Sequence, residues 1–174
     1  MNKKVFAISG STRTNSTNLS LIKAIATLFS ENIKMEIYEG LAELPHFNPD
    51  LDNEAPPETV VKFRLKIAAA DAVLICTPEY AMGTPGSLKN AIDWTVSSCE
   101  FSGKPVALIT ASSMGEKAHQ SLLGTLKIIE ADIDHTTQLL IPFVKTKVNS
   151  DNIITDPETQ AQVENVMNAL IEKK

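Results

Sequence analysis

Short runs of β-branched and aliphatic residues alternate along the chain with longer stretches whose apolar positions recur at three- and four-residue spacing. The runs predict five strands, Lys4–Ser9, Lys34–Glu39, Ala72–Thr77, Pro105–Ala111 and Thr137–Pro142. Five helices are expected at Thr17–Ser30, Glu58–Ala70, Pro85–Ser98, Glu116–Ala131 and Pro157–Ile171. The first carries Leu19, Ile22, Ile25, Ala26 and Phe29 at helical spacing, with Ser16 in place to cap it. The second follows Pro56-Pro57 and sets Val61, Leu65 and Ala68 on one face; the third opens with Pro85 in the favoured first-turn position. The last starts after Asp156, a natural cap, and turns Val163, Val166 and Leu170 inward. It leaves Lys173 and Lys174 at the negative end of its dipole.

Strands that read as apolar runs are covered on both faces, and strands separated by helices pair in parallel through right-handed crossovers. The pattern therefore predicts an α/β fold, a doubly wound five-stranded parallel sheet of order 2-1-3-4-5. The chain of 174 residues is the size of one domain, and no repeat, low-complexity tract or linker divides it, so residues 1–174 are read as a single domain. The polar segment Pro45–Pro57 is a long surface connection. Ligands on such sheets sit beyond the carboxyl ends of the strands. That rule directs attention to three loops, Gly10–Ser16, Pro78–Gly86 and Ser112–Gly115.

The first loop, Gly10-Ser11-Thr12-Arg13-Thr14-Asn15-Ser16-Thr17-Asn18, leaves a buried strand and enters a helix N-terminus, where unpaired N–H groups and the dipole favour an anion. It lacks both the Gly-x-Gly-x-x-Gly spacing that suits a pyrophosphate and the Gly-Lys-Ser/Thr ending of a nucleoside-triphosphate loop. Its hydroxyls and single guanidinium suit a terminal phosphate monoester, and hence a mononucleotide. The competing reading is an ordinary capped loop, since Ser, Thr and Asn favour such positions for conformational reasons alone. In the loop after the third strand, Thr77-Pro78-Glu79-Tyr80-Ala81-Met82-Gly83-Thr84-Pro85-Gly86, the backbone can approach a flat heteroaromatic ring, with Tyr80 and Met82 giving apolar contact. Against this, Tyr80 also reads as a packing or interface aromatic and Glu79 as a surface acid.

Charge and composition narrow the field. With 43% hydrophobic and 21% charged residues the chain reads as a soluble globular protein, and a net charge of −5 without a basic stripe argues against nucleic acid as a partner. The apolar run Val5 to Ile8 is too brief for a signal peptide or a membrane span, so a cytoplasmic location without membrane contact is expected. Asn15-Ser16-Thr17 fits the glycosylation pattern but would not meet that machinery there. Cys76 and Cys99 show no redox or metal-ligand spacing and are read as structural thiols. His46, His119 and His135 are scattered without partners for a hydrolytic triad. Asp50, Asp52 and Glu54 fall short of a calcium loop, and no metal site is expected.

Taken together, Gly10-Ser11-x-Arg13-x-x-Ser16-x-Asn18, Pro78-Glu79-Tyr80 and Pro85-Gly86-x-Leu88-Lys89-Asn90-Ala91-Ile92-Asp93-Trp94 resemble the NADPH-dependent FMN reductase family, which includes azo-dye, quinone and chromate reductases. The resemblance implies a flavodoxin-like fold, with FMN and NADPH or NADH as cofactors. It implies that Ser11, Arg13, Ser16, Thr17 and Asn18 surround the FMN phosphate and that Pro78, Glu79, Tyr80, Ala81, Met82 and Gly83 border the isoalloxazine ring. Ser112, Ser113 and Gly115, in the third loop, would close the other side. Asp93 and Trp94 would belong to a supporting or subunit-contact helix, and no side chain need act as a catalytic acid or base. Two departures stand out. Ala81 and Gly83 replace the family's usual Asn and Ser, and Ser112-Ser113-Met114-Gly115-Glu116-Lys117-Ala118 keeps one glycine of a glycine-rich turn and has Lys117 where Arg is common.

The function implied is hydride transfer from a nicotinamide through FMN to a small electron acceptor: a quinone, an azo compound, a flavin or a metal oxyanion. The resemblance further suggests a homodimer or homotetramer. An FMN-binding electron carrier reduced by a protein partner is the second reading. An interaction module on a receiver-like sheet is the third, disfavoured because hydroxyls replace the acidic cluster such domains need.

Overall fold

The computed structural model describes residues 2–174. Strands β1 (Lys3–Ser9), β2 (Ile33–Tyr38), β3 (Ala72–Thr77), β4 (Val106–Ala111) and β5 (Gln138–Ile141) form one parallel sheet in the order β2-β1-β3-β4-β5. This is the doubly wound topology expected from the alternation of apolar runs and helices. Helices α1 (Thr17–Leu28), α2 (Glu58–Ala69), α3 (Gly86–Asp93), α4 (Glu116–Ile128) and α5 (Pro157–Glu172) cover it.

The central strands are buried on both faces because their two-residue period feeds two cores at once. Val5 and Ala7 of β1, Leu74 and Cys76 of β3, and Ala107 and Ile109 of β4 pack against Leu21, Ile25, Val163 and Met167 of α1 and α5. The intervening Phe6, Ile8, Val73, Ile75 and Leu108 face Val60, Phe63, Leu88, Ile92 and Leu122 of α2, α3 and α4. Cys76 is wholly enclosed and burial pushes its thiol pKa up, so it stays a protonated core residue; Cys99 is exposed.

Element ends differ from the sequence pattern where local hydrogen bonds intervene. The third helix, expected to run to Ser98, stops at Asp93. There the Thr95 amide and hydroxyl both bond the Ile92 carbonyl, at 2.9 and 2.7 Å, and the chain turns, reaching positive φ at Cys99. The fourth helix stops at Ile128 and Glu130 takes φ +61°. At the last helix Asp156 caps as expected, accepting the Thr159 amide at 2.9 Å. The expected dipole partner Lys173 instead reaches Asp132 and Asp134, at 2.7 and 2.8 Å. The cation at that helix end is Lys3 of β1, whose ammonium donates to the carbonyls of Leu170 and Ile171 at 3.0 and 3.1 Å.

The connection 45–57 is latched by α3 and the turn after it. The Asn90 carboxamide accepts the Phe47 amide at 2.7 Å and donates to the Pro45 carbonyl at 3.0 Å, which also takes the Trp94 indole N–H at 2.8 Å. Arg64 joins the Trp94 carbonyl to Asp52, and the Ser97 hydroxyl, with Arg64 beside it, holds the Asp52 carboxyl below the usual carboxylate range. Asp93 pairs with Lys89 one turn back. Asn90, Asp93 and Trp94 thus support the fold.

The sharpest constraint lies at the end of β1. A Cβ on Gly10 would fall 2.3 Å from Thr77 Oγ1 and 2.7 Å from Thr77 Cβ, while nothing lies within 4 Å of a Cβ on Gly124 in α4. Gly10→Ala should destabilise the protein by ~1–3 kcal/mol through overpacking. Gly124→Ala, by contrast, should stabilise it by roughly 1 kcal/mol through helix propensity. Urea denaturation of the two variants checks both signs.

Candidate functional site

At the carboxyl edge of the sheet the loops after β1, β3, β4 and β5 enclose a cleft of about 370 Å³. Its first wall is the loop into α1, where Ser11, Arg13, Ser16, Thr17 and Asn18 line the space. The Gly10 amide bonds the Cys76 carbonyl at 2.7 Å, holding this loop over β3. Ser16 sits at the N-cap with extended backbone, φ −85° and ψ 123°, yet its hydroxyl makes no capping bond, contrary to the expected role. The first N–H groups of a helix have no intrahelical acceptor, and the first turn of α1 contains no acidic residue. That end of the cleft therefore presents open N–H groups and the positive end of the helix dipole.

The loops are tied to one another by hydrogen bonds. Tyr80 contacts Ser11 through their hydroxyls at 3.1 Å, and the Glu79 amide donates to Ser112 Oγ at 3.2 Å. Asn18 donates from Nδ2 to the Ala111 carbonyl at 3.0 Å. The Phe143 and Val144 amides reach the carbonyls of Ser113 and Ser112 at 3.3 and 3.1 Å.

Glu79 has a further task. Gly115 occupies the N-cap of α4 at φ +118°, where a Cβ would sit 2.8 Å from Leu140 Cδ1, so the position has no side chain with which to cap. The Glu79 carboxylate supplies the cap from the neighbouring loop, accepting the Ala118 amide at 2.9 Å. A carboxylate at a helix N-terminus is favourable through both the hydrogen bond and the dipole. Glu79→Ala should cost about 1 kcal/mol of stability, a drop in Tm of roughly 2–4 °C measurable by thermal denaturation.

Pro78, Glu79, Tyr80, Ser112 and Ser113 line the cleft together with the first loop. Ala81, Met82, Gly83 and Gly115 do not. Residues 80–83 form a tight hairpin closed by reciprocal bonds between Tyr80 and Gly83, both 3.0 Å, and Ala81 and Met82 sit at its tip with φ +49° and +61°. This tip stands outside the cleft, and Met82 is 72% exposed. Gly115 lies beneath the loop as the helix cap. His119 is outside the cleft too, bridging Thr110 at 2.9 Å and Gln138 at 3.2 Å, and burial lowers its pKa.

Sequence reasoning passed over the fourth wall, Phe143, Val144, Lys145 and Thr146, from the turn after β5, and also Ala111. The segment has neither glycines nor a hydroxyl cluster. The rule that ligands sit beyond the carboxyl ends of strands would have found it had it been applied to the fifth strand as well. Phe143 takes φ +54° without being glycine, a conformation that costs on the order of 1–2 kcal/mol. Lys145 gives the cleft a second cation. Neither Arg13 nor Lys145 pairs with a carboxylate among the described residues.

The donor set fits a phosphorylated polyol bearing a flat ring. Asn18 is 4% exposed and its Oδ1 has no hydrogen-bond partner; Thr84 Oγ1, in the loop after β3, is the other such buried atom among the described residues. An unpartnered buried acceptor costs roughly 1–3 kcal/mol and is relieved by a hydroxyl donor. The two cations and the open turn of α1 suit phosphate, and Pro78, Tyr80, Phe143 and Val144 give apolar surface.

A family model described as NADPH-dependent FMN reductase matches residues 3–146. The chain is 31% identical over 172 residues to an NAD(P)H-dependent FMN reductase of Pseudomonas aeruginosa, covering 96% of this chain and 92% of that protein. It is 40% identical over 111 residues to a quinone reductase of Pseudomonas putida, a match covering 62% of this chain and spanning only 59% of that protein's length. The solved structure of the flavoenzyme NAD(P)H:(acceptor) oxidoreductase from Paracoccus denitrificans superposes with a TM-score of 0.87 at 29% identity, covering 98% of this chain and 96% of that one. The element order, the loop motifs and these matches agree, and the chain belongs to the NADPH-dependent FMN reductase family.

Proposed function

We propose that the cleft holds FMN, with its terminal phosphate on residues 11–18 and its ring toward Pro78–Tyr80, and that electrons pass through it from NAD(P)H to a quinone-type acceptor. The observation that carries this reading is the pair of unpaired cations, Arg13 and Lys145, in a hydroxyl-lined cleft at a helix N-terminus on a chain of net charge −5. Family membership makes the protein an oxidoreductase that uses FMN and NAD(P)H. Relatives from Pseudomonas putida and Escherichia coli bear the name quinone reductase, which supports a quinone acceptor, and the name of the Pseudomonas aeruginosa relative, NAD(P)H-dependent FMN reductase, supports a direct nicotinamide donor over an electron carrier served by a protein partner.

Bound FMN supplies the hydride-accepting ring, and the protein supplies binding, orientation and electrostatics. Arg13 and Lys145 would neutralise the phosphate, and the open N–H groups of α1 would donate to it. Ser11, Ser16 and Thr17 add hydroxyl donors. Asn18 Oδ1, buried without a partner, would accept from a hydroxyl of the bound group. Tyr80 is tethered to Ser11 and Pro78 is rigid, so the two would offer the ring a preformed apolar wall. Glu79 is committed to the end of α4 and serves the site by fixing its loop. In the overall reaction a nicotinamide hydride, two electrons and one proton, joins one proton from solvent to convert a quinone to a hydroquinone.

Adding FMN at a hundred times its dissociation constant should stabilise the protein by ~2.7 kcal/mol, read as a rise in Tm. Anaerobic NADPH should then bleach the flavin absorbance. Absence of saturable FMN binding, or a bound flavin that NADPH leaves yellow, would end the proposal. Arg13→Ala and Lys145→Ala should each weaken FMN binding about tenfold, with the loss shrinking at high salt. Affinity for riboflavin, which lacks the phosphate, should not change; equal losses for both ligands would assign the two residues to something other than phosphate.

A further inference from the structure

Phe143 is an aromatic residue that is 62% exposed, with a strained backbone and a position on the cleft wall. Its main chain is pinned from both sides. The amide bonds the Ser113 carbonyl at 3.3 Å, and its own carbonyl accepts both the Thr146 amide at 3.0 Å and the Thr146 hydroxyl at 2.9 Å. Glycine would adopt φ +54° without steric penalty, and Phe143 belongs to neither core cluster. Strain kept at a functional mouth by a side chain that does no packing points to a ligand. Tyr80, 46% exposed, lines the same cleft from the loop on the other side of Ser112–Ser113.

We infer that Phe143 is the specificity-determining lip of the acceptor site, presenting its ring to planar aromatic acceptors and contributing nothing to compact inorganic ones. This rests on the function proposed above, because an acceptor can be selected here only if the cleft is the redox site. An exposed ring fixed by its backbone offers a preorganised stacking surface, and the ordering cost of an aromatic contact is already met. No residue of the cleft is asked to transfer a proton. The quinone takes two electrons and two protons, as above, whereas two ferricyanide ions take one electron each and release one proton to solvent for every nicotinamide oxidised.

The test is steady-state kinetics of the FMN-loaded enzyme with NADPH as donor and either a naphthoquinone or ferricyanide as acceptor. Phe143→Gly should raise the KM for the naphthoquinone about tenfold, equivalent to ~1.4 kcal/mol, with kcat unchanged. With FMN held saturating for each variant, the KM for ferricyanide should change far less than that for the naphthoquinone, and Tm should rise by roughly 2–4 °C as the strain is relieved. Phe143→Tyr should keep the KM of the unaltered protein. An unchanged naphthoquinone KM overturns the inference, and so does a loss shared equally by both acceptors, which marks a structural role. Either result leaves the flavin reductase reading standing if the unaltered enzyme turns over; if the unaltered enzyme is silent with both acceptors, the two proposals fall together.

Discussion

The carboxyl ends of β1 and β3 meet with no room for a side chain between them. Gly10 lies against Thr77 and its amide reaches the Cys76 carbonyl, so the first loop crosses directly over the third strand. Everything at the site follows from that approach. It brings Ser11 within reach of Tyr80 and sets the N-terminus of α1 beside Ala111, where Asn18 bridges to the end of β4. A parallel sheet delivers its loops to one edge, but only close backbone contact turns neighbouring loops into a single walled cleft.

The walls are held by hydrogen bonds that run between loops. Glu79 joins the loop after β3 to both Ser112 and α4, and Ser112 and Ser113 accept from the turn after β5. Such a frame tolerates strain. Ala81, Met82 and Phe143 all hold positive φ at this edge of the molecule. Unfavourable backbone conformations persist where surrounding bonds over-determine them, and here those bonds belong to the same loops that shape the cleft.

Charge works locally and against the global trend. The chain carries a net charge of −5, yet the cleft gathers Arg13 and Lys145 beside the positive end of α1 and commits its carboxylate, Glu79, to a helix cap. Net charge governs solubility and long-range steering, while an anion at close range meets only the groups lining the site. A locally cationic cleft on an acidic protein is therefore no contradiction.

The sequence by itself determined the sheet, its order and three of the loops that border the cleft, though not which of their residues face it. Two-residue periodicity inside apolar runs and helical spacing between them are local signals, and the loop of Gly10, Ser11, Arg13, Ser16 and Asn18 carries its chemistry within nine consecutive residues. Tertiary structure decided what depends on distant partners. Lys145 and Phe143 enter the cleft because β5 lies next to β4, which no local pattern around residue 143 encodes. Glu79 reads as a surface acid until the bare glycine cap of α4 is placed beside it. The same holds for Lys173, whose expected place at the end of α5 is taken by Lys3 because the start of β1 meets that helix end across the full length of the chain. Local periodicity fixes which elements form, whereas the identity of a hydrogen-bond or charge partner is set by proximity in space, which only the folded packing creates.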